Sequence, residues 1–299
     1  MIGKKGVVAQ FGGYHTIIPA FWCKTLGKRF AIVLGGFDAV SFPEIHYGAF
    51  QNKWMSRAVK FSYKRADLLL PVHESLMFSD YTYFDAMHKA QGVKAFLPNC
   101  ETPFQTIYNG YDAEFWREKG EVLPSRFTII TVAAGVSEQR RLDLKGVQDI
   151  INCAPLLPDF DFIIVGDENN ILKEKLSSVS NIKVLPKSSA EELRNLFASS
   201  HAYAQLSWSE GFPNALCEAM LCGCIPIVSN VASMPFIIKG CGVVVFKKEM
   251  QEITEKLRSL PNVHSVENRA KARKKIASNF SEEKRGDTLI NVVSNLISE

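Results

Sequence analysis

Short apolar segments rich in β-branched residues recur along residues 127–246, and helical patterns stand between several of them. The segments lack alternating polar positions, which is typical of strands that are buried on both faces. Buried strands that alternate with helices predict an α/β, doubly wound domain, in which ligands bind beyond the carboxyl ends of the parallel strands. The predicted strands are 127–133, 160–166, 181–185, 202–206, 225–228 and 242–246, with helices at 147–156, 190–199 and 213–222.

The first 120 residues show the same alternation in a weaker form. The turn signal Asn109-Gly110 leads into a linker between two domains. Ser281, followed by two glutamates, marks the start of a final helix that is expected to pack back on the first domain. The chain is thus predicted to contain two Rossmann-like domains, residues 1–118 and 119–299. The further predicted strands are 6–11, 30–34, 67–72 and 93–97, and the further predicted helices are 18–26, 51–64 and 281–299.

The composition is that of an ordinary globular chain. Of 299 residues, 46% are hydrophobic and 22% are charged, which excludes disordered, collagen-like and coiled-coil proteins. No apolar run is long enough for a transmembrane helix and the amino terminus does not resemble a signal peptide, so a cytoplasmic location is expected. The net charge of +4 is carried by the first 120 residues. This excess is too small for a nucleic-acid binder but biases one face toward anions or an acidic membrane surface.

The seven cysteines are odd in number and match no disulfide framework. Three of them, Cys217, Cys222 and Cys224, are clustered, and a metal site there is one interpretation. Their C-x4-C-x-C spacing matches no common zinc pattern, and no histidine lies nearby in sequence. The preferred interpretation is buried structural thiols, and no metal site is predicted.

Two glutamates mark the strongest local feature of the sequence. Glu210 lies in the loop after the predicted strand 202–206, and Glu218 lies more than one turn inside the next helix. Gly211 lets a ligand approach the backbone, and the free amides at the helix start bind anions or hydroxyl groups. A carboxylate beside free amides suits a polyhydroxylated ligand, because each hydroxyl both donates and accepts. The alternative is an ordinary strand–loop–helix with solvated glutamates.

A basic segment follows the first predicted strand of the same sheet. It contains Arg140, Arg141 and Lys145 and ends at Gly146. Arginine binds phosphate oxygens through paired hydrogen bonds and lysine supplies a point charge, so this cluster suits a diphosphate. A solvated basic loop is the alternative. Because this segment and the two glutamates follow strands of one sheet, a binding site is favoured.

The segment from Glu210 to Pro226 resembles the E-x7-E region of the retaining GT-B glycosyltransferases, specifically the group 4 (glycosyl transferases group 1) family of nucleotide-sugar-dependent enzymes. The basic segment that ends at Gly146, the Gly166 that ends the second strand, and the linker 109–112 carry the same resemblance. It implies a GT-B fold, in which two Rossmann-like domains face a cleft. It also implies sugar transfer with retention of the anomeric configuration.

The resemblance implies roles for these residues as well. Glu210 would bind the hydroxyls of the donor sugar, and Glu218 would bind those of the ribose. Lys145, with Arg140 or Arg141, would bind the diphosphate and stabilise the departing charge without a metal or another cofactor. The donor would be a UDP- or GDP-linked sugar. Further donor contacts are implied for Gly211, Phe212, Pro213, Asn214, Gly166 and Leu185, with the base near residues 185–188.

The first domain departs from the family pattern. Members usually begin with a strand and a Gly-rich loop well before a segment like residues 11–15, so the first one or two βα units are expected to be absent. Many members carry a histidine after the strand that corresponds to 30–34. Here Asp38 is expected to take that place as a catalytic residue. His15 and Gly36 are expected on the acceptor side.

Four basic residues fall on one face of a predicted helix: Lys53, Arg57, Lys60 and Lys64. Trp54 lies close to them, and a basic face with aromatic neighbours suits an anionic membrane or a lipid-linked diphosphate acceptor. A solvated helix face is the alternative.

Three functions are therefore weighed. The leading hypothesis is a glycosyltransferase that acts on a glycan, a lipid-linked or a small acceptor in cell-envelope polysaccharide or glycoconjugate synthesis. It would be cytoplasmic or peripheral on the inner face of the membrane. The second is a non-catalytic protein of the same fold that binds nucleotide sugar, which the short first domain favours. The third, a GT-B epimerase or phosphorylase, lacks a matching pyridoxal-phosphate lysine signature.

Overall fold

The computed structural model describes residues 5–136 and 138–298, which form two compact units. The first unit contains Met1–Gly110, Glu210–Phe212 and Glu282–Glu299, and the second contains Tyr111–Ser209 and Pro213–Ser281. Each unit is built around its own parallel sheet. This confirms the α/β class that the alternation of strands and helices predicted.

A three-stranded parallel sheet forms the centre of the first unit. The strands of this unit are β1 (Gly6–Gln10), β2 (Arg29–Leu34), β3 (Leu68–Pro71), β4 (Ser79–Asp80) and β5 (Ala90–Gln91). The sheet has the order β1-β2-β3, and β4 and β5 form a separate antiparallel pair. The central strand β2 buries Phe30, Ile32 and Leu34 completely, which explains its uninterrupted apolar run.

The helices of this part of the chain are α1 (Ile17–Thr25), α2 (Lys53–Tyr63) and α3 (Val93–Phe96). Asn52 caps α2, because its Oδ1 accepts hydrogen bonds from the amides of the two residues after Lys53. The predicted strand at 93–97 is wrong, since these residues form α3. A short apolar run does not distinguish a strand from a buried helical turn, and Gly92, with a φ of 101°, turns the chain just before it.

A six-stranded parallel sheet forms the second unit. Its strands are β6 (Phe127–Val132), β7 (Phe160–Val165), β8 (Ile182–Leu185), β9 (Ala202–Gln205), β10 (Ile225–Ser229) and β11 (Val243–Val245). Their order is β11-β10-β9-β6-β7-β8, and every neighbouring pair is parallel. All six predicted strands are therefore confirmed. Because β6 and β9 are neighbours, the segments that follow them leave the sheet at the same edge.

Nine helices of the second unit are described: α4 (Gln139–Leu144), α5 (Val147–Cys153), α6 (Ile171–Lys175), α7 (Ala190–Ala198), α8 (Asn214–Leu221), α9 (Met234–Ile238), α10 (Met250–Arg258), α11 (Leu260–Val263) and α12 (Val266–Asn279). The predicted cap of α7 is confirmed, since Ser189 Oγ accepts from the Glu192 amide at 3.2 Å. The basic segment forms the helix α4 instead of a loop. Its arginines, leucines and glutamine favour a helix, and Leu142 and Leu144 are the side chains that it buries.

The last helix, α13 (Glu282–Ser298), belongs to the first unit. Within residues 5–136 and 138–298, none of the helices combines the length and apolar character that crossing a bilayer requires.

The seven cysteines are all free and buried, which confirms the predicted structural thiols. Burial raises the pKa of six of them, that of Cys222 to about 12.

Candidate active site

The basic segment is held against the end of β9 in the second unit. Gly146 has a φ of 66°, and a Cβ there would lie 2.1 Å from the carbonyl oxygen of Leu206. The Trp208 amide donates to the carbonyl oxygen of Leu144 at 2.9 Å. Because only glycine fits at this contact, the chain is fixed immediately after Lys145. The half-buried Lys145 is thereby placed at the carboxyl edge of the sheet.

The two arginines of α4 have different surroundings. The guanidinium of Arg140 forms an exposed ion pair with Glu138, with an N···O distance of 3.5 Å. The stem of Arg141 runs along the loop after β6, where its Cγ lies 3.7 Å from the position that a Cβ at Gly135 would take. Of the two arginines, Arg141 is the one whose side chain runs along the loop after β6.

The second glutamate, Glu218, lies within α8 and is half-buried. Burial raises its pKa from the ordinary 4.5 to about 7. The start of α8 is anchored, because the hydroxyl of Tyr111 donates to Asn214 Oδ1 at 3.1 Å. Pro213, just before the helix, is buried. The α8 segment therefore presents a fixed amino terminus and, one turn later, a carboxyl group in a poorly solvated setting.

The raised pKa of Glu218 predicts a pH-dependent stability. The unfolded chain releases the Glu218 proton near pH 4.5 and the folded chain only near pH 7, so stability falls as the pH rises between these values. We expect Glu218→Gln to be more stable than the wild type at pH 8 by about 1–2 kcal/mol, and equally stable at pH 4. Urea unfolding at both pH values measures the difference. Glu168→Gln, at an exposed glutamate of the same unit, controls for the lost charge. If the free energy of unfolding had the same pH dependence in the wild type and in Glu218→Gln, the prediction would be contradicted.

Two of the predicted donor-binding residues, Gly166 and Leu185, are in contact with each other. The Leu185 carbonyl oxygen accepts from the Gly166 amide at 3.0 Å and from the Asp167 amide at 3.2 Å. A Cβ at Gly166, whose φ is 123°, would lie 2.0 Å from the carbonyl oxygen of Ala133. The ends of β6, β7 and β8 are thus drawn together by backbone contacts.

The first glutamate, Glu210, is half-buried and belongs, with Gly211 and Phe212, to the first unit. A Cβ at Gly211 would lie 1.9 Å from the carbonyl oxygen of Gly35, and a Cβ at Gly36 would lie 3.2 Å from the Gly211 nitrogen. The carbonyl oxygen of Phe212 accepts from the Asn109 side chain at 3.1 Å. Backbone therefore meets backbone at this contact, and the loop that carries Glu210 rests on the glycines that follow β2.

Asp38 is buried and accepts four hydrogen bonds within the first unit. Its Oδ1 accepts from the amides of Gly35 and Gly36, both at 3.0 Å. Its Oδ2 accepts from the Gly12 amide at 2.8 Å and from the Tyr63 hydroxyl at 2.9 Å. Burial raises the pKa of Asp38, and these donors oppose the rise. Since every donor belongs to the protein itself, the geometry is that of a residue that joins the loops after β1 and β2.

Two histidines lie at the same edge of the first sheet. His15 is exposed, and its Nε2 lies 3.1 Å from the carbonyl oxygen of Gln10 at the end of β1. His73, which the sequence did not single out, follows β3 and is buried, which lowers its pKa. Its Nδ1 accepts from the Ser75 amide at 3.2 Å, and its ring lies 6.1 Å from that of Tyr108. The signal that would have found His73 is its place directly after a predicted strand.

The basic face predicted for residues 51–64 lies on α2. Arg57 stacks on the exposed ring of Trp54 at 4.8 Å, and Lys60 Nζ lies 5.8 Å from the ring of Phe50. Lys53 and Lys64 are exposed.

Among residues 5–136 and 138–298, no group of three or more His, Cys, Asp or Glu side chains is arranged to hold a metal ion.

Comparison with known proteins identifies the relatives of this chain. The model of the family described as "Glycosyl transferases group 1" matches residues 116–286, more than half of the chain. A search of curated proteins finds no significant match. Solved structures confirm the GT-B fold at low sequence identity.

Three solved structures illustrate the likeness. Sucrose-phosphate synthase from Thermosynechococcus elongatus is 13% identical, with 99% of this chain and 74% of that chain covered and a TM-score of 0.75. Anabaena HepE in complex with UDP-glucose is 16% identical, with 94% and 76% covered and a TM-score of 0.70. The pneumococcal O-GlcNAc transferase GtfA in complex with UDP and GlcNAc is 16% identical, with 94% and 54% covered and a TM-score of 0.63.

Proposed function

Because the chain belongs to the glycosyl transferases group 1 family, we propose that it transfers a sugar from a nucleotide-diphosphate-sugar donor with retention of the anomeric configuration. The observation that carries this proposal is the fixed position of Lys145, which Gly146 and Leu206 hold at the carboxyl edge of the second sheet. The acceptor is a glycan, a lipid-linked saccharide or a small molecule of envelope polysaccharide or glycoconjugate synthesis. Solved neighbours that bind UDP and UDP-glucose support a nucleotide-sugar donor.

In the proposed reaction, the bond between the anomeric carbon and the diphosphate oxygen breaks first, and its electron pair stays on that oxygen. Lys145 and Arg141 neutralise the negative charge that develops there. An acceptor hydroxyl attacks the oxocarbenium-like carbon from the same face from which the leaving group departs. The proton of that hydroxyl passes to the departing phosphate oxygen. The products are a glycoside of unchanged configuration and a nucleoside diphosphate. These cations take the role that a metal ion has in other transferases, so no cofactor is included.

The remaining site residues orient the donor. Glu210 accepts hydrogen bonds from the sugar hydroxyls, while the amides of Gly211, Phe212 and Asn214 donate to them. Glu218 accepts from the ribose hydroxyls, and the backbone near Leu185 borders the base. A half-buried carboxyl group suits this work, since a desolvated acceptor forms stronger hydrogen bonds to hydroxyls than one in water. The acceptor side is assigned to the loops after β1 and β2 in the first unit, where His15 and Gly36 lie.

The basic face of α2 is proposed to bring the protein to an anionic membrane or to a lipid-linked diphosphate acceptor. Its cations lie along one side of the helix, with Trp54 exposed among them. This arrangement is typical of surfaces that approach anionic headgroups. The protein would then work on the cytoplasmic side of the membrane.

Calorimetry with UDP and GDP, followed by a turnover assay with sugars linked to the nucleotide that binds, tests the proposed function. We expect one nucleotide to bind and one donor to be turned over.

Glu210→Gln is expected to lower turnover by roughly 10²–10³-fold with little change in nucleotide affinity, because Glu210 is assigned to the sugar. Glu168→Gln, at an exposed position, is the matched control. Nucleotide binding without turnover of any donor would instead indicate a non-catalytic nucleotide-binding protein.

A further inference from the structure

Helix α1 has its large apolar side chains on the outside. Its buried side presents the small residues Ala20 and Cys23. Its outer side presents Ile18, Phe21 and Trp22, which are 67%, 51% and 47% exposed. These three positions follow the i, i+3, i+4 spacing of a single helix face. A helix that packs on its own domain normally has the reverse arrangement, so this stripe fits an apolar environment outside the unit.

The surroundings of α1 carry an excess of positive charge. The first 37 residues of the sequence contain five lysines and arginines and no aspartate or glutamate. At the carboxyl end of α1, a cavity of about 420 Å³ is lined by the cations of Lys5, Lys24, Lys28 and Arg29. One acid, Asp67, also lines it and lies 3.6 Å from Arg29. The cavity therefore keeps an excess of positive charge at the carboxyl end of the helix that carries the apolar stripe.

We propose that α1 and this cavity dock the protein on an anionic membrane. The stripe of Ile18, Phe21 and Trp22 would enter the boundary between headgroups and acyl chains, where aromatic residues are favoured. The lysines at the end of α1 would hold lipid phosphate groups in the cavity. The charge selects this occupant over a second copy of the chain. Two copies would bring two surfaces with an excess of positive charge into contact, and the one acid that lines each cavity, Asp67, is already paired with Arg29.

This docking surface differs from the basic face of α2 and does not depend on the transfer reaction. The α2 face consists of cations and one exposed tryptophan. Helix α1 presents three exposed apolar side chains, and attraction between charges alone does not explain their exposure. Membrane binding is measured without a donor or an acceptor. The inference and the proposed function can thus fail separately.

Flotation with vesicles of phosphatidylglycerol and phosphatidylcholine in equal parts, and with vesicles of phosphatidylcholine alone, tests the inference. We expect the wild type to bind the anionic vesicles and to lose binding at high salt. Phe21→Ser with Trp22→Ser is expected to weaken binding roughly tenfold or more through lost apolar burial. Lys24→Gln with Lys28→Gln is expected to weaken it by about fivefold for each cation removed.

The control for lost surface apolarity is Val122→Ser with Val266→Ser, two exposed valines of the second unit. These changes should leave vesicle binding unaltered. Circular dichroism and urea unfolding show whether each variant is folded, which we expect because the altered apolar side chains are about half exposed or more and the altered lysines are at least partly exposed. A variant of α2, Lys53→Gln with Arg57→Gln, separates the contribution of that helix.

Trp22 also reports its own depth in the membrane. In a Trp54→Phe background, lipids with brominated acyl chains should quench tryptophan fluorescence, and the additional change Trp22→Phe should remove most of the quenching. Any of three results would overturn the inference. These are equal binding to neutral and anionic vesicles, dependence on α2 but not on α1, and a dimer in solution that Phe21→Ser with Trp22→Ser dissociates.

Discussion

Replacing Asp38 with alanine is expected to lower the free energy of unfolding by about 4 kcal/mol. The alanine methyl group cannot accept the hydrogen bonds that the amides of Gly12, Gly35 and Gly36 now donate. A buried amide without an acceptor costs about 1–3 kcal/mol, and the substitution leaves three such amides. Urea unfolding followed by circular dichroism measures the loss.

Two companion variants grade the effect. Tyr63→Phe removes one of the four donors and leaves the carboxylate in place, so a loss of only about 1 kcal/mol is expected. Asp38→Asn keeps the shape of the side chain but replaces one acceptor oxygen with a donor, so its loss should lie between the other two. Amide exchange at Gly12 and Gly36 should become faster in the order of these losses. An Asp38→Ala variant within about 1 kcal/mol of the wild type would show that the carboxylate does not hold the loops.

Replacing Lys145 with methionine is expected to lower kcat for sugar transfer by roughly 10²–10³-fold, with little effect on stability. The lysine ammonium is proposed to meet a charge that grows as the diphosphate leaves, so its loss affects the transition state more than the bound donor. Methionine keeps the apolar stem and removes the ammonium group, with both its charge and its N–H donors. Initial rates at saturating donor, with the donor that turns over in the wild type, give the comparison.

The two arginines of α4 supply the matched controls for Lys145. Arg140→Met should change kcat by less than about threefold, because Arg140 is exposed and paired with Glu138. Arg141→Met should cause the larger loss of the two, because its stem follows the loop after β6. A Lys145→Met variant with nearly unchanged kcat would remove this lysine from the reaction. A larger loss in Arg140→Met than in Arg141→Met would reverse their assignment.

The sheet of the second unit could be predicted from sequence because each strand is mostly apolar and bounded by turn residues. The same criterion failed at residues 93–97, where a mostly apolar segment forms one turn of helix instead. It also left α4 described as a loop, since its charged residues conceal the two buried leucines at 142 and 144. Periodicity needs several turns to be read, and these helices have fewer than two.

The candidate site was predictable where strand ends converge, and not where distant segments meet. Lys145 and Glu218 could be singled out because each lies in a segment that follows a strand of one predicted sheet. The four donors to Asp38 come from Gly12, the Gly35-Gly36 pair and Tyr63, which no spacing relates. Likewise, the contact between Gly35 and Gly211 joins residues 176 positions apart. Such contacts are made by tertiary packing, so the sequence showed the glycines without showing what they touch.

The burial of all seven cysteines has a practical consequence for spectroscopy. Thiol-directed dyes and spin labels react with exposed thiolates, and burial disfavours that form by raising the pKa of six of these groups. The native chain can therefore host one added surface cysteine as a nearly unique attachment point, without removal of the seven thiols. Single-molecule fluorescence and electron paramagnetic resonance become feasible on the unaltered core, where replacing the seven buried side chains would leave cavities.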